Sequence, residues 1–327
     1  MTSDPRAAVR DAIDGLRAAQ RERFGWTHME VGFTLDPSVR HVVLRGEVLA
    51  RRFAGRVTDA VTRRLGDSWT VDASALTGLT PGPWCRLRRP VTSVYAAIPT
   101  EGRAATLATQ LQPDDGPVQR MAAHAGWSLV RAIDGTLGWT DQPLGPPTDA
   151  PDIQPKTDAA ATSIMAAARE LFGAPYLLGG TTIAGVDCSG LVQRAWRAAA
   201  AGWLPRHTTD QLAIDPQPDA GPDDPATLLF VWSSVEAPGH VGLATGDGEV
   251  LHASRRRGVV VDSREQFLGD AERVMHVSHD SLSRLQTQLR GHACLVDIFE
   301  LGHHPAGEAG PGPHVTADTR PPRPRTS

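Results

Sequence analysis

The chain has 327 residues, with 33 Lys and Arg against 37 Asp and Glu for a net charge of −4, and 40% apolar residues. That length predicts two or three compact units with real cores, while the small charge and scattered arginines remove the electrostatic case for nucleic acid. No apolar run approaches the roughly 20 residues that cross a bilayer, and three cysteines, Cys85, Cys188 and Cys294, give no even disulfide framework and point to a reducing compartment. At the N-terminus Asp4 reads as a helix cap and Pro5 as the first helical residue, followed by Val9, Ile13 and Leu16 at helical spacing. This opening has neither the apolar stretch nor the cleavage site of a signal peptide, so a cytoplasmic location is expected. Met29, Val31, Phe33 and Leu35 alternate as in a strand, Val42-Val43-Leu44 continues a second, Phe53, Val57, Val61 and Leu65 repeat as on a helix, and Trp69, Val71 and Ala73 alternate again. The expected order is helix, strand, strand, helix, strand, a small α+β unit over residues 1–80 without visible chemistry. Its pairs Arg51-Arg52 and Arg63-Arg64 read as a solvated helix face rather than a phosphate site.

Pro81-Gly82-Pro83 marks a boundary, and residues 88–142 carry short strands broken by turn residues: Val91 to Tyr95, Thr109-Gln110, the patches at Val118 and Met121, Gly126-Trp127 to Val130, and Asp134-Gly135-Thr136-Leu137-Gly138-Trp139. This stretch resembles a bacterial SH3 (SH3b) domain, which implies a small SH3-like β-barrel with Trp127 and Trp139 as packing residues. Residues 143–156, rich in Pro and Asp, read as a linker.

Next come Gly185-Val186-Asp187-Cys188-Ser189-Gly190-Leu191-Val192-Gln193 and a helical stretch to about Ala201. Cys188 therefore lies at a helix N-terminus, where unpaired amides and the macrodipole favour a thiolate. Three strands are expected at 228–232, 240–244 and 249–254, the last two joined by Thr245-Gly246-Asp247-Gly248, a hairpin signal. With Thr245, Gly246 and Asp247 as the loop, His240 faces His252, so one histidine takes the thiol proton and the other orients it. The same three side chains also make up three of the four ligands of a zinc site, but no close Cys or His pair of metal-binding spacing accompanies them, and no metal or cofactor is expected.

Ordered motifs between about Ala159 and Glu300 now identify a resemblance: Gly173-Ala174-Pro175-Tyr176-Leu177-Leu178-Gly179-Gly180, the run around Cys188, Leu204-Pro205-Arg206, Gly239-His240-Val241-Gly242, and Leu251-His252-Ala253. They resemble the NlpC/P60 family of papain-like cysteine peptidases, which cut peptidoglycan stem peptides. The resemblance implies helices packed on an antiparallel sheet over residues 157–301, with Cys188 as nucleophile, His240 as general base and His252 as the residue that orients it. Strands at 258–262 and 293–299 are expected to complete the sheet, His276, His279 and Asp280 to sit in a surface turn, and residues 302–327 to be disordered.

The implied reaction is amide hydrolysis through an acyl-enzyme, with the backbone N–H of Cys188 as the first oxyanion donor. In SH3b-bearing relatives that recycle muropeptides, the residues flanking the cysteine hold the free amine of an N-terminal L-Ala and place the bond between γ-D-Glu and the diamino acid at the thiol. Asp187 and Ser189 take those positions, Arg206 is expected to pair with the D-Glu α-carboxylate, and Tyr176 to line the site. Asp187 has a second reading, as a plain helix cap. His207 stands where relatives carry an acid, Leu178 where an aromatic is common, and Thr136 where the SH3b loop often offers a tyrosine. A general hydrolase of crosslinked peptidoglycan and a non-catalytic peptide-binding module are the alternative functions. The expected partners are peptidoglycan-derived peptides, with neither nucleic acid nor membrane.

Overall fold

The computed structural model describes residues 4–24, 27–49, 52–99, 104–151, 160–199, 202–212, 221, 223–232, 239–271 and 273–278. The expected strand at 293–299, His279, Asp280, Cys294 and the tail from 302 lie outside the described residues.

The first unit runs α1 (Pro5–Phe24), β1 (Met29–Asp36), β2 (His41–Val48), α2 (Arg52–Leu65) and β3 (Thr70–Gly78), the order that the sequence periodicity predicts. Asp4 caps α1, its side chain accepting the Arg6 N–H at 3.0 Å. Strands β1 and β2 form an antiparallel hairpin, whereas β2 and β3 run parallel, with α2 as the crossover that parallel strands require. The apolar residues spaced four apart on α2, Phe53, Val57 and Val61, pack with Val9 and Ile13 of α1 on Val31, Val42 and Leu44. Leu129 and Trp139 of the next unit belong to this same cluster, so the boundary near residue 80 separates two sheets without separating two cores.

The second unit is a seven-stranded antiparallel sheet of β4 (Trp84–Leu87), β5 (Thr92–Tyr95), β6 (Leu107–Leu111), β7 (Val118–His124), β8 (Trp127–Arg131), β9 (Leu137–Thr140) and β10 (Leu144–Thr148). Its strand order is β10-β4-β7-β8-β9-β5-β6. The sheet is wider than the expected limits of 88–142. Strand β10 occupies the start of the expected linker and pairs Pro147 with Cys85 and Thr148 with Trp84. Its prolines imitate a linker, yet a strand at the end of a sheet has no second neighbour and tolerates residues without an N–H.

The third unit holds α3 (Ala161–Arg169), β11 (Thr181–Thr182), β12 (Gly185–Val186), α4 (Cys188–Ala198), α5 (Thr208–Leu212), β13 (Leu228–Trp232), β14 (His240–Ala244), β15 (Glu249–Ser254), β16 (Gly258–Ser263), α6 (Arg264–Leu268) and β17 (Arg273–Val277). Five of its strands form an antiparallel sheet in the order β16-β15-β14-β13-β17. His276, expected in a turn, lies in β17 opposite Leu229. Leu191, Val192, Ala195 and Trp196 give α4 an apolar face that packs with Phe230, Val241, Leu243, Leu251 and Ala253 of the sheet. Truncating one such buried leucine costs about 2–5 kcal/mol, so the helix that begins at Cys188 is held firmly against β14 and β15.

The second unit grips this helix from its other side. Gln193 donates to Asp134 at 2.9 Å and Arg194 to Asp115 at 2.8 Å. Arg197 donates to the Asp114 carbonyl while its guanidinium lies 3.5 Å from the centre of the Trp203 ring. Thr181 uses both its N–H and its hydroxyl on Gln110, at 3.3 and 2.6 Å.

Candidate active site

Two glycines and a short hairpin set the start of α4. Gly179, at φ +81°, packs so close to the second unit that a Cβ would lie 2.4 Å from the Leu107 carbonyl oxygen. The β11–β12 turn then brings the chain back, and Asp187 accepts N–H bonds from Gly190 and Gly179, both at 2.7 Å. A side chain at 190 would meet the Gly180 oxygen at 2.4 Å, which accounts for a glycine in the first helical turn. Cys188 is thus the first residue of the helix, as its sequence context predicts.

The thiol is buried, and Thr208 Oγ1 lies 4.0 Å from it. Burial first and the adjacent Asp187 carboxylate second push the Cys188 thiol up, against the pull of the Val241 amide, the Thr208 hydroxyl and the Ser189 amide. This corrects the expectation of an acidic thiol: loss of hydration and a neighbouring anion outweigh the helix start.

His240 and His252 come together in a register different from the expected one. Leu243 faces Leu251 and Ala244 faces Val250, and Thr245 N–H closes on the Glu249 carbonyl, so the loop is Gly246-Asp247-Gly248 with both glycines at positive φ. Carried onward, that register sets His252 against Gly242 and makes His240 its diagonal neighbour. The two stay on one face because side chains alternate with a period of two. His240 Nε2 and His252 Nδ1 are 2.8 Å apart. The absent side chain at Gly242 leaves room for Phe267 of α6, since a Cβ there would lie 2.9 Å from its ring. Phe267 packs on both imidazoles, with ring centres 5.6 Å from His240 and 5.0 Å from His252.

Behind His252 lies a group that reading the sequence missed. His252 Nε2 is 3.0 Å from Asp262 Oδ2, and Arg257 donates to both Asp262 oxygens, to Oδ1 at 2.9 Å. The signal was present in alternation: Val260 pairs with His252 across β15 and β16, so Asp262 falls on the same face one step on. The Arg257 hydrogen bond leads in holding the Asp262 carboxyl below the usual range. Burial, then the charges of His252 and Arg255, push His240 down to about 4. Burial also pushes His252 down, over the opposing hydrogen bond and charge of Asp262. Both ring nitrogens of His252 are committed, one to His240 and one to Asp262, which removes it as a ligand for zinc.

The expected substrate-binding residues divide. Tyr176 bridges to Val186, and burial followed by the nearby Cys188 charge raises its hydroxyl pKa while Arg255 hydrogen-bonds to it. Tyr176 therefore lies within electrostatic range of the thiol. Asp187, Ser189 and Arg206 instead form a closed buried cluster. Arg206 is 2% exposed and all five of its N–H groups are taken. Nε donates to Thr109 Oγ1 at 3.1 Å, Nη1 to Asp187 and Ser189 at 2.9 and 3.0 Å, and Nη2 to the Gly180 carbonyl and Asp187 at 3.2 and 2.7 Å. No donor is left for a substrate carboxylate. Asp187, 4% exposed, spends both oxygens on Arg206 and the two glycine amides, leaving none for an ammonium, so its role here is cap and counter-ion. Thr136, expected in a substrate-facing loop, is buried.

Residues 173–276 match the NlpC/P60 family. A probable endopeptidase of Mycobacterium tuberculosis is 34% identical over 175 residues, which cover 50% of this chain and 42% of that protein. The probable endopeptidase NlpC of Escherichia coli is 38% identical over 92 residues, 28% of this chain and 60% of that one. The murein DD-endopeptidase and LD-carboxypeptidase MepS of Escherichia coli is 33% identical over 94 residues, 29% and 50% of the two chains. A solved structure, the NlpC/p60 domain of the peptidoglycan hydrolase SagA, is 28% identical and covers 36% of this chain and 98% of that one at a TM-score of 0.31. The chain spans 42–60% of the length of these curated relatives.

Proposed function

We propose that the third unit is a cysteine peptidase acting on peptidoglycan stem peptides. The observation that carries this is the hydrogen-bonded row His240, His252 and Asp262 together with a cysteine at a helix start whose thiol is held by the amide of Val241, the residue after His240. His240 is neutral above about pH 4 and so able to accept a proton. In this reading the Sγ–H proton passes to His240 as sulfur attacks the substrate carbonyl. That proton then goes to the departing amine, and water, deprotonated by His240, attacks the acyl carbon and breaks its bond to sulfur, which regains the proton from His240. The Cys188 backbone N–H serves as the first oxyanion donor.

Resemblance supports the bond between γ-D-Glu and the diamino acid as the scissile one, the second unit as an SH3b-like domain, and muropeptide recycling as the setting, while the odd cysteine count supports a reducing compartment. Within the site, carboxylate recognition passes from Arg206 to Arg255, which is exposed and hydrogen-bonded to Tyr176. The test is chromatography with mass spectrometry of L-Ala-γ-D-Glu-diaminopimelate, its N-acetylated form and crosslinked peptidoglycan after incubation with the purified chain. Release of the diamino acid from the free tripeptide by the native chain, and not by Cys188→Ala, is the expected result. Equal turnover of the acetylated form replaces the recycling assignment with a general wall hydrolase, and no product from any substrate overturns the peptidase reading.

A further inference from the structure

A neutral imidazole has one N–H and one bare nitrogen, so the 2.8 Å contact between His240 Nε2 and His252 Nδ1 admits two proton orders. In one, His240 donates to His252 and keeps its Nδ1 bare. In the other, His252 donates to His240, whose Nδ1 then carries a hydrogen and cannot take one from a thiol. Nothing in the pair itself selects between them.

We propose that Asp262, clamped by Arg257, is a positioning residue that selects the first order and so presents a bare His240 Nδ1 to Cys188. The proposal rests on the reading of Cys188 and His240 as nucleophile and base. An ionised carboxylate only accepts, so at 3.0 Å it requires the hydrogen of His252 on Nε2. His252 Nδ1 is then bare and accepts from His240 Nε2–H. Nδ1 of His240, which has no hydrogen-bond partner among the described residues, is left as the basic nitrogen. One acceptor at the end of the row thereby fixes two hydrogen positions and both bare nitrogens.

Asp262 needs fixing in turn, and the turn after β15 supplies it. Arg257 reaches both carboxylate oxygens, leaving Oδ2 shared with His252. The Arg257 side chain is 55% exposed, so its charge is screened by solvent and its geometric contribution, holding the carboxylate against His252 Nε2, counts for more. Phe267 of α6 packs against both rings. The other charges near the pair are Arg255, which disfavours a protonated His240, and Asp187, which favours it. Neither touches the His240–His252 bond. When His240 receives the thiol proton, His252 and Asp262 accept along the same row, so the group that sets the resting order also supports the imidazolium.

The experiment compares the native chain with Asp262→Asn, Asp262→Glu and Arg257→Met in kcat and KM for a stem peptide, the pH profile of kcat, and the 15N shifts of the two imidazoles, each variant being checked for folding by circular dichroism. Asp262 touches no substrate in this account, so Asp262→Asn is expected to lower kcat about 10²-fold, toward the lower end of the roughly 10²–10⁴-fold general acid–base contribution, with KM unchanged. Asp262→Glu is expected to restore part of the loss, and Arg257→Met to fall between. The His240 Nδ1 shift is expected to be that of a bare nitrogen in the native chain and to move toward a protonated one in Asp262→Asn. An Asp262→Asn variant with native kcat and an unmoved Nδ1 shift overturns the proposal, as does a protonated Nδ1 in the native chain at pH 7. A native chain that cleaves no stem peptide overturns the peptidase reading alone, because the nitrogen shifts still decide the proton order.

Discussion

Replacing Arg206 by methionine keeps most of the side-chain bulk and removes the guanidinium that joins three segments of the chain. Asp187 then stays buried without its counter-ion, and the Gly180 carbonyl and Thr109 hydroxyl lose a donor. Breaking a buried ion pair from one side costs about 3–5 kcal/mol, and the two amides that remain on Asp187 place this case toward the lower half of that range. Urea unfolding followed by tryptophan fluorescence measures the loss as a drop in midpoint at unchanged slope. Asp187→Asn in the same background relieves the stranded charge while retaining a helix-capping oxygen, so the double variant is expected to be more stable than Arg206→Met alone. A loss below about 1 kcal/mol, the scale of an exposed ion pair, together with a raised KM for a carboxylate-bearing peptide, refutes the structural role and returns Arg206 to the substrate.

Three further outcomes follow from the site. His240 is pushed down to about 4 from an ordinary 6.5, so the folded chain binds fewer protons than the unfolded one between those values. Its contribution to stability is therefore full above pH 6.5 and lost as pH falls toward 4, by up to about 3 kcal/mol at roughly 1.4 kcal/mol per tenfold change in proton affinity; melting curves at stepped pH should show the decline, and His240→Gln should flatten it. Because burial and Asp187 raise the Cys188 thiol, its alkylation should keep accelerating beyond the ordinary thiol range near 8.5, and fast, pH-independent labelling below pH 7 contradicts this. Gly242→Ala drives a methyl group into Phe267 and Val250, an overpacking worth roughly 1–3 kcal/mol; a kcat that falls while KM holds is the expected signature of displaced imidazoles, and native kcat shows that Phe267 does not steady them.

Local patterns carried most of what the sequence disclosed. The four-residue spacing of Phe53, Val57 and Val61 and the alternation of β1 need only neighbouring residues, and so does the helix start at Cys188. The histidine hairpin pairs in another register than its sequence suggests, yet its two histidines still share a face, because moving the loop from Thr245-Gly246-Asp247 to Gly246-Asp247-Gly248 preserves the parity of each strand. What stayed hidden depends on distant partners. Arg206 looks like a ligand-binding arginine until Thr109, 97 positions away, and Asp187 close its donor set. Asp262 ends a run of valines and gains meaning only once β16 pairs with β15. The prolines of β10 mimic a linker because an edge strand and a linker tolerate the same residues.

The central claim, covalent catalysis by Cys188, is tested most directly by quenching a stem-peptide reaction with acid within the first turnovers and weighing the intact protein and its proteolytic fragments. The account predicts an added mass equal to the acyl portion of the substrate, confined to the fragment that contains Cys188 and absent from Cys188→Ala. Cleavage that proceeds in Cys188→Ala, or an acyl group found on another residue, contradicts it.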